Sequence, residues 1–205
     1  MIKAVLLDFD NTMVGTETGN FTVFKEMMHD RFGHGLKPED YDHVSGNTWK
    51  YIFNYLSYRY GNGATAQEIR DDFIERKKRY FEKNPPDIAK GLNDILNMPV
   101  KRAIVTGSCL QEVMLFEHMI DLSKFDAIVT DELTETSKPE PGPYLKALEL
   151  LDVPPEEAIA LEDSRIGLKS ARSAGVRAVF CRQFADEDHR DLADLTVDNM
   201  SLISL

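Results

Sequence analysis

Positive charge is in short supply in this 205-residue sequence: 24 Lys and Arg face 35 Asp and Glu, for a formal charge of −11. No basic block outgrows the stretch Arg76–Arg79, so a nucleic-acid partner, which needs a basic face, is not expected. Cysteine is nearly missing as well. Cys109 and Cys181 lie far apart without a Cys-x-x-Cys neighbour, and both read as reduced thiols and not as a disulfide or a zinc site. His29, His34, His43, His118 and His189 show no zinc spacing either. No run of about 18 apolar residues occurs, and IKAVLLDFD at the start lacks the basic stretch, long apolar segment and cleavage site of a signal peptide. The expectation is a soluble cytoplasmic protein with no membrane partner. A Walker-A pattern is absent; GNGATA at Gly61–Ala66 fits a dinucleotide fingerprint but follows a helical segment, where that fingerprint has no use.

What is present is a set of short apolar runs: AVLL at 4–7, RAIV at 102–105, AIV at 127–129, AIAL at 158–161 and RAVF at 177–180. None alternates with polar residues, which is the pattern of strands covered on both faces. Helix-like segments separate them, at 109–119 behind a capping box over Ser108–Gln111 and at 142–151 behind prolines. Strand and helix in alternation predict an α/β fold, a doubly wound parallel sheet with right-handed crossovers. Residues 16–84 differ. They hold no strand-like run but show helical apolar spacing (Phe21, Phe24, Met28, Phe32; Trp49, Ile52, Phe53, Leu56, Tyr60; Ile69, Phe73, Tyr80) and a capping box over Thr65–Glu68. The segment reads as an α-helical insertion, and Asn84–Asp87, with two prolines, returns the chain to the sheet. The expected organisation is a core of 1–15 and 85–205 with a helical cap of 16–84.

In an open parallel sheet, ligands sit beyond the carboxyl ends of the strands, so the residues that follow each apolar run carry the chemistry. Asp8, Asp10 and Thr12 follow the first; Thr106, Gly107 and Ser108 the second; Glu162, Asp163 and Ser164 the fourth; and Lys138 lies in the loop after the third. Carboxylates brought together on that edge repel by roughly 4 kcal/mol per pair at 4 Å in an effective dielectric near 20. They call for a cation, and an all-oxygen set with room for waters and a phosphate oxygen suits Mg²⁺.

Four segments then stand in a telling order: DFDNT at Asp8–Thr12, VTGS at Val105–Ser108, SKPEP at Ser137–Pro141 and LEDSRIGLKSARSAG at Leu161–Gly175. Together they resemble the four motifs of the haloacid dehalogenase-like hydrolase superfamily, and 16–84 resembles the helical cap that one branch inserts between the first two. That branch holds sugar-phosphate phosphatases, phosphoglycolate phosphatase and β-phosphoglucomutase. The resemblance implies a Mg²⁺-dependent phosphatase of small phosphorylated metabolites, with Asp8 as nucleophile, Asp10 as acid and base, and Lys138 as charge clamp. Thr106 would bind phosphate, with Asn11 and Gly107 counted beside it. The metal set would be Asp8, Asp10, Asp163 and Glu162. The superfamily's dehalogenases lack the second aspartate, so Asp10 implies phosphoryl transfer.

Departures from the commoner pattern bear on which transfer. Asn11 stands where Gly is frequent, and Gly15-Thr16 where Asp-Ser is frequent. Val44–Lys50 resembles the cap's specificity loop only around Gly46 and lacks the arginine a phosphomutase would set on a distal phosphate; Asn47 and Trp49 are its candidate substrate contacts. Phosphatase is favoured over a phosphomutase, with a phosphorylation switch or an idle binding protein as distant alternatives. The cap is expected to move as a lid, with Gly15 absorbing the backbone change.

Overall fold

The computed structural model describes residues 1–44 and 48–203, apart from the side chain of Asp42. The chain divides into two compact units, Met1–Gly15 with Asp87–Leu205 and, separately, Thr16–Pro86.

The first unit is built on a six-stranded sheet in which the paired strands run parallel. Its strands are β1 (Ala4–Leu7), β2 (Lys101–Val105), β3 (Ala127–Val129), β4 (Ala158–Glu162), β5 (Arg177–Cys181) and β6 (Leu195–Val197), in the spatial order β3-β2-β1-β4-β5-β6. Every residue of β1 and β4 is buried, as their unbroken apolar runs require of strands covered on both faces. The chain winds outward from β1 in one direction through β2 and β3, then in the other through β4, β5 and β6. The order therefore reverses beside β1, where such sheets open a crevice at the strands' carboxyl ends. Register decides what stands there: Leu7 pairs with Ile104 and with Leu161, so Asp8 leaves the sheet level with the end of β4. The expected strands are all present, and β6 is one that the apolar runs did not announce. It is a three-residue edge strand whose Leu195 is half exposed, too short and too wet to carry an unbroken apolar pattern.

The helices that precede β2 and β3 are short: α5 spans Leu92–Leu96 and α6 Leu110–Met114 (numbered after the helices α1 to α4 given below). The latter corrects the expected helix over 109–119 and its cap. The capping box falls one residue later, on Cys109 and Glu112, whose carboxylate accepts the Cys109 N–H at 3.1 Å. Beyond Met114 the turns tighten, Phe116 N–H donating to Val113 O, while the Phe116 ring packs against Phe9 at 5.8 Å. The helices α7 (Gly142–Leu151) and α8 (Arg165–Ser173) complete the unit. Its core gathers Leu6, Val105, Val129, Tyr144, Leu148, Leu168 and Phe180. At Gly15 an added Cβ would lie 3.1 Å from carbons of the Phe184 ring, and its φ is not positive. The missing side chain there has a close neighbour to avoid, a packing reason that stands beside the hinge role expected from the sequence.

The second unit is helical: α1 (Glu17–Phe32), α2 (Tyr41–Val44), α3 (Trp49–Tyr60) and α4 (Ala66–Lys83). Thr65 and Glu68 form the expected capping box at the start of α4. Phe24, Met28, Ile52, Phe53, Ile69 and Phe73 are buried together, whereas Phe21 is half exposed; Val23 and Met27 take its place in the core of α1. A carboxylate also sits inside this unit. Asp40 is fully buried and accepts from Tyr55 Oη at 2.7 Å, Tyr60 Oη at 2.7 Å and the Lys37 N–H at 2.8 Å. No described helix is long and apolar enough to cross a membrane.

Candidate active site

The residues that follow the strands meet at one edge of the sheet. Asp8, at the end of β1, is anchored by its N–H to Leu161 O at 3.0 Å and is largely buried. Lys138 comes from the loop between β3 and α7, behind a cis bond to Pro139. Its ammonium has three protons and three acceptors: Asp8 Oδ1 at 2.6 Å, Glu162 Oε1 at 2.5 Å and Val105 O at 2.9 Å. Asp163, next along the chain after β4, accepts from Thr12 Oγ1 at 3.2 Å, and Asp10 Oδ2 accepts from Ser108 Oγ at 2.7 Å. The strand ends and their loops thus hold two aspartates from the first strand, a lysine, and the Glu162-Asp163 pair.

One lysine against these carboxylates leaves the cluster short of positive charge, and the acid groups register it. Burial, followed by the nearby Glu162, pushes the Asp8 carboxyl up to about 7 even though Lys138 draws it down. Asp163 is held well above the ordinary carboxylate range by burial and by Asp8 and Glu162. Burial opposes the charge on Lys138, but the flanking Asp8 and Glu162 outweigh it, so the lysine stays an ammonium. Oxygens of Asp8, Glu162 and Asp163 lie within 4.8 Å of one another. An all-oxygen, electron-rich set of this size fits a hard divalent cation. Within it the three are not alike. Glu162 is fully buried, its Oε1 taking Lys138 and Tyr144 and its Oε2 taking Ser164 Oγ at 3.2 Å, whereas Asp8 keeps a small exposed area and Asp163 is only partly buried.

The remaining expected positions fall as follows. Thr106 is buried and its Oγ1 accepts the Ser108 N–H at 3.1 Å, which leaves the hydroxyl proton to donate. Gly107 borders open space, with nothing within 4 Å of an added Cβ. Asn11 adopts φ +57° and its N–H donates to Val14 O at 2.7 Å; a left-handed residue here is the physical reason Gly suits this position. Trp49 is partly buried with its ring against Phe24, Phe53 and Phe73, at centroid distances of 5.8, 5.6 and 4.6 Å. Asn47 lies outside the described residues.

Tyr144 carries no signal in the sequence, and Ser108, Thr12 and Gly167 take roles in the structure more specific than their sequence positions suggest. Ser108 and Thr12 had a signal, since both follow strand runs and both bond a motif aspartate. Gly167 reads from sequence as a small residue for helix packing. In the structure an added Cβ would lie 1.9 Å from Glu162 Oε2, so the glycine makes room for a carboxylate.

Known proteins match this arrangement. The family described as haloacid dehalogenase-like hydrolase matches residues 5–181. A phosphorylated carbohydrates phosphatase of Thermotoga maritima is 26% identical, over 87% of this chain and 84% of its own length. The pyrophosphatase PpaX of Bacillus cereus is 27% identical over 86% and 81%. The crystal structure of CbbY from Rhodobacter sphaeroides in complex with phosphate superposes with a TM-score of 0.84 at 25% identity, over 98% of this chain and 96% of that one. A variant of CbbY has also been solved with xylulose-(1,5)bisphosphate, and superposes equally well.

Proposed function

The chain belongs to the haloacid dehalogenase-like hydrolase family, and from that premise we propose that it is a phosphatase of small phosphorylated metabolites, working through a phosphoryl group carried on Asp8 with Mg²⁺ as cofactor. The observation that carries this reading is the placement of Asp8. It ends the central strand, Lys138 occupies its Oδ1 at 2.6 Å, Asp163 stands alongside, and Asp10 follows two residues on.

Asp8 presents its second oxygen to phosphorus, since the first is held by Lys138. Attack forms the Asp8–phosphorus bond and breaks the ester P–O bond. Asp10 gives its proton to the departing alkoxide, then takes one from the water that attacks phosphorus and releases Asp8. Throughout, Lys138, the Thr106 hydroxyl and the backbone N–H groups near Gly107 face the negative charge of the phosphoryl oxygens. Asp8 and Asp163, with Asp10 beside them, are the groups that would hold Mg²⁺, and Glu162 adds its charge from behind them. Bound there, the cation would supply positive charge that offsets repulsion between Asp8 and the phosphate and favours the ionised form of Asp8. Ser108 and Thr12 keep Asp10 and Asp163 in place. The relatives named above act on phosphorylated carbohydrate and on pyrophosphate, or bind a sugar bisphosphate, which supports a small phosphorylated metabolite as the class of substrate.

A panel of sugar phosphates, phosphoglycolate, pyrophosphate and a small aryl phosphate, each assayed with Mg²⁺ and with EDTA, tests the reading. Release of phosphate with Mg²⁺, lost in EDTA and restored by Mg²⁺, is the expected result. Full activity in chelator would remove the metal from the mechanism, and no phosphate release from any ester would remove the phosphatase.

A further inference from the structure

Tyr144 lies on α7, a helix with no motif residue of its own, yet its hydroxyl reaches the centre of the cluster. The side chain is fully buried, and Tyr144 Oη donates to Glu162 Oε1 at 2.6 Å. That oxygen is the one that also takes the Lys138 ammonium. The face of the tyrosine ring, in turn, lies 5.4 Å from Lys138 Nζ, within the range in which a ring attracts a cation. On its other side Glu162 is closed in by Ser164 Oγ and by Gly167, where no Cβ would fit.

We infer that Tyr144 is a positioning residue for Lys138: its hydroxyl fixes Glu162, and Glu162 with the ring above it aims the ammonium at Asp8. A lysine on a four-carbon stem has many rotamers, and its direction is set only when all three of its protons are claimed. Glu162 claims one of them. A buried carboxylate that lost the phenol would turn toward whatever donor remained, and the ammonium would follow it away from Asp8 Oδ1. A charge misplaced by an ångström is felt most where charge develops, in the transition state. The inference rests on the proposed phosphatase reading for its kinetic arm alone.

The test is Tyr144→Phe, which removes one oxygen and keeps the ring, beside Leu148→Val one helical turn on, a truncation in the same hydrophobic core that removes no hydrogen-bonding group. With Mg²⁺ and a small aryl phosphate, Tyr144→Phe should lower kcat by about 10- to 100-fold, the range of one charge-assisted hydrogen bond, with KM changed by less than about threefold. Leu148→Val should lower the melting temperature and leave kcat alone. A Tyr144→Phe enzyme with kcat within about twofold of the unchanged protein, a loss confined to KM, or an equal loss in Leu148→Val would overturn the inference. Should the Phe protein fail to fold, the full chain carrying 3-fluorotyrosine at position 144 decides by fluorine NMR. Its resonance should move when inorganic phosphate is added, because phosphate draws on the same lysine; an unmoved resonance would overturn the inference. This arm needs no turnover, so a chain that hydrolyses no ester would sink the phosphatase reading and still be judged here.

Discussion

Replacing Gly167 with alanine sets two physical effects of opposite sign against each other. Gly167 is in α8, and in an ordinary helix interior alanine stabilises relative to glycine by about 1 kcal/mol. Here the new methyl would lie 1.9 Å from Glu162 Oε2 and 2.1 Å from Oε1, far inside contact distance, with backbone behind it and a fully buried carboxylate in front. The carboxylate must give way. In doing so it loses the Tyr144 hydroxyl and the Lys138 ammonium, two bonds to a charged group worth roughly 1.5–3 kcal/mol each. The clash wins by at least about 2 kcal/mol, which for a chain of this size lowers the melting temperature by about 4–8 °C or more. Since Lys138 is released from its post beside Asp8, kcat for a phosphate ester should fall by more than about tenfold. Calorimetry and steady-state kinetics on the same preparation give both numbers. An alanine variant that melts higher than the unchanged protein with full kcat would refute the placement of Glu162 over the helix, and the chain of contacts from Tyr144 to Asp8 with it.

Asp8→Asn should abolish turnover and any acid-stable phosphoenzyme signal, while Asp10→Asn should keep inorganic phosphate binding and lose about 10²- to 10⁴-fold in kcat; a phosphoryl group trapped on any other residue would reverse the assignment. At Asn11, φ +57° ranks two substitutions: Asn11→Ala should be less stable than Asn11→Gly by about 1 kcal/mol in urea unfolding, and the opposite order would show that the left-handed backbone does not matter. In the helical unit, burial raises the Asp40 carboxyl but the hydrogen bonds from Tyr55, Lys37 N–H and Tyr60 outweigh it, so its pKa is lowered below 3.8. A lowered folded pKa gives stability that is present above the unfolded value and lost as the pH falls through the folded one. Melting temperatures should therefore drop below pH 4 more steeply in the unchanged protein than in Asp40→Asn, which starts lower at pH 7; parallel curves would mean that Asp40 contributes nothing to the acid limb.

What the sequence shows and what it hides in this protein follow from how far each signal reaches. A strand buried on both faces must be written as an unbroken apolar run, so its end is visible in the sequence itself, and the first polar residue after it is already a candidate. Asp8, Thr106 and the Glu162-Asp163 pair stand at such ends, and the parallel order of the sheet gathers them. The cap over Thr65–Glu68 is legible for the same reason: its partners are three residues apart. The capping box of α6 is legible in kind but not in place, because Ser108 and Cys109 are both followed three residues later by an acid or amide. The choice between them was made elsewhere: Ser108 bonds Asp10, 98 residues away, and so is not available as a cap.

The roles of Tyr144 and Gly167 are hidden by a different mechanism. An aromatic at helical spacing and a glycine on the packed face of a helix each have a common local explanation in core packing and close approach. Nothing nearby in sequence contradicts it. Their shared partner is Glu162, which itself reads as half of an acidic pair with its neighbour. The structure separates that pair: Glu162 is turned inward onto a lysine, a phenol and a hydroxyl, and Asp163 stands at the rim beside Asp8. Adjacent residues at a strand end point to opposite sides, so the same two carboxylates are given different tasks by the pleat alone. The inward one orders Lys138, and the rim one completes the oxygen set for the cation. If the pleat sets these tasks, exchanging the two acids in one chain, Glu162→Asp together with Asp163→Glu, should harm both at once. The shorter inward acid would fall about one methylene short of the phenol and the ammonium, and the longer rim acid would crowd Asp8. Each single substitution, measured with the double variant, should then lower kcat without compensating the other. A double variant more active than both singles would show that the two carboxylates share one task.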